Sequence, residues 1–156
     1  MSQVIAGAVG GFGFSIVFGV RKRYIWLITL NAGLSWWVYL ISNQLMGDFG
    51  GNIVSAAFCS LFAAVTARFV SAPAAVLQMP ATVPMIPGGS LFYTMYYAFT
   101  GNWEQFFQYF RGTFRAIFGM AIGFAAVAVV LKKYGGELTV HVDRIKSAFR
   151  MRGKIS

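Results

Sequence analysis

The chain has 156 residues, of which 58% are hydrophobic and only 11% charged, with a formal net charge of +9. Soluble domains carry about 25% charged residues, and a water-soluble fold of this size has too little interior to hide so much apolar surface. In lipid a helix that is apolar all round is stable, so the composition points to a membrane protein.

A spanning helix needs about 20 apolar residues, within a working range of about 17–25. Five candidates follow in chain order. The first is Val4–Val20, which is rich in glycine. Because the basic run Arg21-Lys22-Arg23 follows it instead of preceding it, the segment reads as a retained anchor and not as a cleaved signal peptide. The second covers about Tyr24–Met46, with Trp36, Trp37 and Tyr39 as an interfacial aromatic set. The third runs from about Gly51 to Val70, the fourth lies irregularly within Pro73–Phe99, and the fifth covers about Phe106–Leu131. The fold class expected is therefore all-α: a polytopic transmembrane bundle of about five spans over residues 1–133. A basic tail over residues 134–156 follows it. In the tail, Val142, Ile145 and Phe149 are spaced like one helix face, which suits an anionic membrane surface, and a solvated tail is the alternative.

The charges give the bundle a direction. Lys and Arg concentrate in cytoplasmic loops. With five spans, Arg21–Arg23, Arg68, Lys132, Lys133 and the basic tail all fall on one side, while the opposite loops hold Asp48 and Glu104. Only Arg111 and Arg115 depart from that count. The expected orientation is N-terminus outside and C-terminus in the cytoplasm, in a cell inner membrane. The same clustering argues against nucleic acid as a partner, since that needs a basic face on a folded domain; membrane lipid is the partner expected.

The stretch Pro73–Tyr93, PAAVLQMPATVPMIPGGSLFY, contains all four prolines, and Gly88 and Gly89 follow the last of them. Each proline removes a backbone donor and crowds the preceding turn, so the fourth segment is expected to break. Broken helices in membranes are tolerated where they are buried in protein or line a watery cavity, and in transporters such breaks hold substrate. The residues expected along a substrate path are Gln78, Pro80, Thr82, Pro84, Pro87, Gly88, Gly89, Ser90 and Tyr93. Arg111 and Arg115, four apart on one face, either present guanidinium groups to a carboxylate or reach the outer headgroups. The pairs Gly7/Gly11 and Gly119/Gly123 are GxxxG patterns, which mark close helix packing at most.

No set of residues for catalysis is found: no carboxylate pair, no Cys/His cluster, no phosphate loop. The single cysteine, Cys59, reads as a small buried hydrophobe, and the single histidine, His141, as a surface residue of the tail. No metal, cofactor or enzymatic activity is expected. The four acids, Asp48, Glu104, Glu137 and Asp143, are placed in loops, at helix ends or in the tail, so that any proton-coupled step would draw its titrating group from a partner chain.

At PAAVLQMPATVPMIPGGSLFYTMYYAFTGN the sequence resembles the threonine/serine exporter family, and within it the small subunit of the two-gene form. The family pattern of a proline, an apolar stretch, a Pro-x-x-Pro-Gly turn and a tyrosine is matched by Pro73, Pro84, Pro87, Gly88 and Tyr93. The earlier FSIVFGVRKRYIWLITLNAGLSWWVYL is similar too, and the resemblance runs to about Leu131. Pro80 and the arginine pair lie outside it. The resemblance implies a secondary transporter driven by the proton gradient, exporting small carboxylates: threonine and serine in fused members, succinate in some split ones. It also implies a larger membrane subunit of the same family as partner. A homo-oligomeric passive channel and a purely structural or assembly subunit are the competing readings.

Overall fold

The computed structural model describes residues 2–152, with side-chain surroundings described for residues 2–133. Five helices follow one another: α1 (Ser2–Val17), α2 (Lys22–Val70), α3 (Ala74–Thr82), α4 (Gly88–Thr100) and α5 (Trp103–Arg152). A single 3₁₀ turn, Val83–Met85, lies between α3 and α4, and no strand occurs among the described residues. Among the described residues the fold is all-helical, as the long apolar runs lead one to expect. Two helices, Lys22–Val70 and Trp103–Lys133, are long and apolar enough to cross a membrane, and α1 is a shorter apolar helix.

Helix α2 is a bent pair. Gly47 has φ 71° and ψ 179°, a conformation open in practice only to glycine, and there the chain reverses. The arm over 22–46 then packs antiparallel to the arm over 48–70. Asn31 Nδ2 donates to the Cys59 carbonyl at 3.2 Å, and Ser55 Oγ donates to the Ser35 carbonyl at 2.7 Å. Ser35 Oγ in turn donates to Asn31 Oδ1 at 3.2 Å. All four of these residues are buried, Cys59 among them in the small-hydrophobe role expected of it. Each arm, at about 1.5 Å per residue, is long enough for the ~30 Å hydrocarbon thickness of a bilayer.

Glycines set the spacing of the other helices. An added Cβ on Gly11 would come within 2.5 Å of Ala32 Cβ, and one on Gly7 within 3.1 Å of Trp36 Cβ, so α1 lies tight on the first arm. On α5, a Cβ on Gly119 would meet the Phe49 carbonyl at 2.9 Å, and one on Gly123 would press on the Ile53 carbonyl and Ala56. Both GxxxG patterns are therefore contact faces, with backbone approaching backbone. These contacts run in register: as α5 advances from Gly119 to Gly123, its neighbour advances from Phe49 to Ile53, so α5 lies parallel to the second arm. The turn at Arg21–Arg23, the α2 end at Arg68 and the pair Lys132-Lys133 consequently share one end of the bundle. The backbone of α5 continues as helix through Arg152, across the boundary expected after Lys133. The side chains of the expected tail face, Val142, Ile145 and Phe149 with His141, lie outside the described ones.

Helix ends are made by local backbone motifs. Gly19 takes φ 64° while Val20 N–H reaches the Ser15 carbonyl and Gly19 N–H that of Ile16, a left-handed cap that closes α1. Gly101 (φ 73°) closes α4 in the same way. Asn102 then opens α5, its Oδ1 accepting from Gln105 N–H at 3.3 Å.

The fourth segment breaks, but not at every proline. Pro80 sits inside α3 and is buried in the core, and Pro84 opens the 3₁₀ turn, where its missing N–H costs nothing. The break itself falls at Ile86, which is extended (φ −63°, ψ 129°), and at Pro87 (φ −75°, ψ 61°). Proline disfavours helical backbone in the residue before it, which accounts for Ile86. Beyond the break, α4 packs principally on α5, with Thr94 facing Thr113 and a stack of Tyr93, Tyr97 and Tyr109 between the two helices. From Ser90, near the Gly47 bend, α4 rises about 15 Å further to Thr100, clear of α1 and α2.

Candidate functional site

A cavity of about 170 Å³ lies where the Gly47 bend, the break in the fourth segment and α5 meet. The first arm of α2 contributes Trp36 and Tyr39, the second arm Asp48 and Asn52, the break Pro87 and Ser90, and α5 Gly112 and Ala116. The volume is below the ~300–1,000 Å³ of sites for drug-sized ligands and suits a molecule of amino-acid size.

Asp48 is its charged member. The reversal at Gly47 puts the residue at the start of the second arm, half-buried, with its carboxylate against the first. Tyr39 Oη donates to Asp48 Oδ1 at 2.6 Å. Asn52, one helical turn on, donates from Nδ2 to the Asp48 carbonyl at 2.7 Å and to Oδ1 at 3.2 Å. Asn52 is itself buried. A carboxylate that accepts a phenol and an amide is held in a fixed orientation by groups that carry no charge.

Trp36 stands beside this pair, its ring 5.4 Å from that of Tyr39. Its Nε1–H is buried and has no acceptor among the described residues. Such groups are rare in folded proteins, because a buried donor without a partner forfeits its hydration.

The residues expected along a substrate path are divided by the fold. Pro87 and Ser90 line the cavity with Asp48. Gln78 and Thr82 line a neighbouring apolar groove with Phe18 and Phe124, and Pro84 lines a third recess against α1 with Gly7 and Gly10. Pro80 is core. Gly88 and Gly89 are exposed, with nothing within 4 Å of an added Cβ, and Tyr93 is exposed on α4 apart from its ring contacts. Arg111 and Arg115 are exposed and outside the cavity lining, although the adjacent Gly112 and Ala116 belong to it.

The residues that sequence reasoning missed are Asp48, Tyr39, Asn52 and Trp36. Asp48 was expected as a loop acid, and Trp36 and Tyr39 as part of an interfacial belt. In the structure Asp48 is turned onto Tyr39, and of the aromatic set only Trp37, 51% exposed, faces outward. Asp48 thus stands at a helix end, as expected, but with its carboxylate turned inward onto the first arm. The signal was the Gly-Asp pair in the middle of an apolar stretch. Among the described residues no cluster of His, Cys, Asp and Glu could hold a metal ion.

Comparison with known proteins agrees with the apolar helices. The chain matches the family model described as Threonine/Serine exporter, ThrE, over residues 3–130. No curated protein and no solved structure matches it. The matched region takes in both arms of α2, the break, α4 and the apolar length of α5, and so the whole cavity. The family is one of membrane exporters and not of enzymes. The helical architecture and this match together make the chain a member of the threonine/serine exporter family.

Proposed function

We propose that the chain is one subunit of a secondary exporter of small amino acids in the cell inner membrane, acting with a larger subunit of the same family. The observation that supports this best is the cavity at the break, where Pro87 and Ser90 meet Asp48, Tyr39 and Asn52. Irregular backbone beside a polar cavity is how membrane transporters hold a solute midway through a bundle. In this reading α1, the two arms of α2, the segment from α3 through α4, and α5 are five crossings. The basic end with Arg21–Arg23, Arg68 and Lys132-Lys133 faces the cytoplasm, and the Gly47 bend faces outward. The groove at Gln78 and Thr82 is a second stretch of the path on the cytoplasmic side of the break. Arg111 and Arg115 meet the outer headgroups, a role their exposure suits.

The test is efflux. Pro87→Ala restores a donor N–H at the break and lets helix run through it, so threonine and serine efflux from loaded cells should fall at least tenfold at unchanged membrane abundance. Unchanged efflux overturns the role of the break. For the partner, the chain reconstituted alone in liposomes should be silent, and flux without a second protein would favour a homo-oligomeric channel.

A further inference from the structure

An open groove of about 1010 Å³ runs along the outside of α1 and the first arm of α2. Phe12, Ile16 and Gly19 line it from one face of α1, and Lys22, Trp26 and Leu30 from one face of α2, each about a helical turn from the next. From Lys22 to Leu30 the groove follows the helix axis for about 12 Å, at about 1.5 Å per residue.

Its two ends differ. Phe12 and Leu30 mark an apolar end, beside the tight contact of Gly11 on Ala32. At the other end Gly19 has nothing within 4 Å of an added Cβ, which leaves the mouth open next to Lys22. Arg21 and Arg23 flank Lys22, and all three are exposed. Arg23 is engaged by the Tyr24 ring, 5.0 Å from its guanidinium carbon, so Lys22 is the cation in the lining itself. The acids within residues 2–133, Asp48 and Glu104, belong to the Gly47 bend and the start of α5, at the opposite end of the bundle. No carboxylate among the described side chains therefore neutralises the mouth.

Between the ends there is little for a polar molecule to hold. The one hydroxyl in the lining, Thr29 Oγ1, is spent inside α2 on the Ile25 carbonyl at 2.9 Å. A solute or a peptide backbone would lose hydration there without replacement, whereas hydrocarbon loses none. The grooves at Gln78 and at Pro84 carry no charged residue in their lining, which sets this one apart from them.

We infer that the groove holds an anionic glycerophospholipid of the bilayer. One acyl chain lies along Phe12, Ile16, Trp26 and Leu30, and the phosphate meets the Lys22 ammonium. A lysine beside apolar surface keeps its ammonium at the headgroup level, and basic pockets between membrane helices on the cytoplasmic side take anionic headgroups. This rests on the orientation proposed above, with the basic end in the cytoplasm, and not on the solute exported.

The test counts bound lipid by native mass spectrometry. The intact exporter, purified with its native partners and stripped of lipid in detergent, is titrated with phosphatidylglycerol or with phosphatidylcholine of the same acyl chains. Phosphatidylglycerol should bind at least fivefold more tightly. Lys22→Gln should cut that preference at least threefold, while Lys22→Arg keeps it; Arg21 and Arg23 remain in both variants to hold the topology. Ile16→Trp, which fills the trough, should weaken phosphatidylglycerol binding at least threefold. Val9→Trp, similarly exposed on the same helix but outside the lining, should not. Equal binding of the two lipids, or a preference that survives both Lys22→Gln and Ile16→Trp, overturns the site. A preference seen only after the chain is separated from its partners places protein in the groove and overturns it too. Efflux enters none of these readings, so failure here leaves the proposed exporter standing.

Discussion

The Tyr39 hydroxyl donates to Asp48 Oδ1 across 2.6 Å, joining two residues nine apart in sequence that no single helix could bring together. The contact exists because α2 reverses between them. It ties the first arm to the start of the second at the rim of the cavity, so one bond serves both folding and the site. Tyr39→Phe should lower stability by about 1.5 kcal/mol, in the range for hydrogen bonds to charged groups, read by thermal unfolding in detergent. The same variant should raise KM for serine efflux, because Asp48 loses the group that orients it.

Gly47 makes the reversal possible. Any other L-residue at φ 71°, ψ 179° is strained by about 1–3 kcal/mol. Gly47→Ala is expected to destabilise the chain by that amount and to move Asp48 off Tyr39. Denaturation in detergent checks the first effect, and efflux of threonine checks the second.

Gly123 is where α5 comes closest to α2, and a side chain there meets the Ile53 carbonyl and Ala56. Backbone gives way less readily than side chains, so Gly123→Leu should cost about 1–3 kcal/mol through overpacking. By contrast, Gly112→Ala meets open space and should raise stability by about 0.5–1 kcal/mol through helix propensity. The pair distinguishes a contact face from helix propensity alone.

Ser55 links the arms by donating to the Ser35 carbonyl. Interhelical bonds of this kind in membranes contribute about 0.6 kcal/mol, and at most about 1.7. Ser55→Ala should therefore lower the unfolding free energy by less than Gly47→Ala does, a ranking that one denaturant series measures.

The sequence made the helices and the existence of a break legible, since long apolar runs and clustered prolines act locally. It left open which proline would break the chain. Pro80 stays inside α3 because the surrounding core holds that turn, and Pro84 sits where a helical turn has a spare donor position; of the three prolines beyond Pro73, only Pro87 has a predecessor outside helix. The reversal itself was legible, since the expected spans end at Met46 and resume at Gly51, but its contraction to the single residue Gly47 was not. Asp48 followed from the bend, so it was read as a loop acid. For Arg111 and Arg115 the shared face was correct, but which way that face turns is set by Gly119 and Gly123 further along α5. Spacing fixes a face, and packing chooses its direction.

The overshoot of α4 and the start of α5 makes the molecule unequal in height. Around α1 and the arms of α2 its apolar surface ends near Gly47, whereas on the far side exposed Phe92, Tyr96, Phe99 and Trp103 carry it about 15 Å higher. A lipid layer of uniform thickness cannot match both sides at once. The bilayer must thicken locally or the protein must tilt, each at a cost of fractions of a kcal/mol per Å of mismatch. Rings of Tyr and Trp are at home among headgroups, so tilt toward the tall side would settle them there and shorten the exposed step. Bilayer thickness then becomes a variable to which this exporter responds, and the angle of its cavity to the membrane plane would shift with the lipids around it.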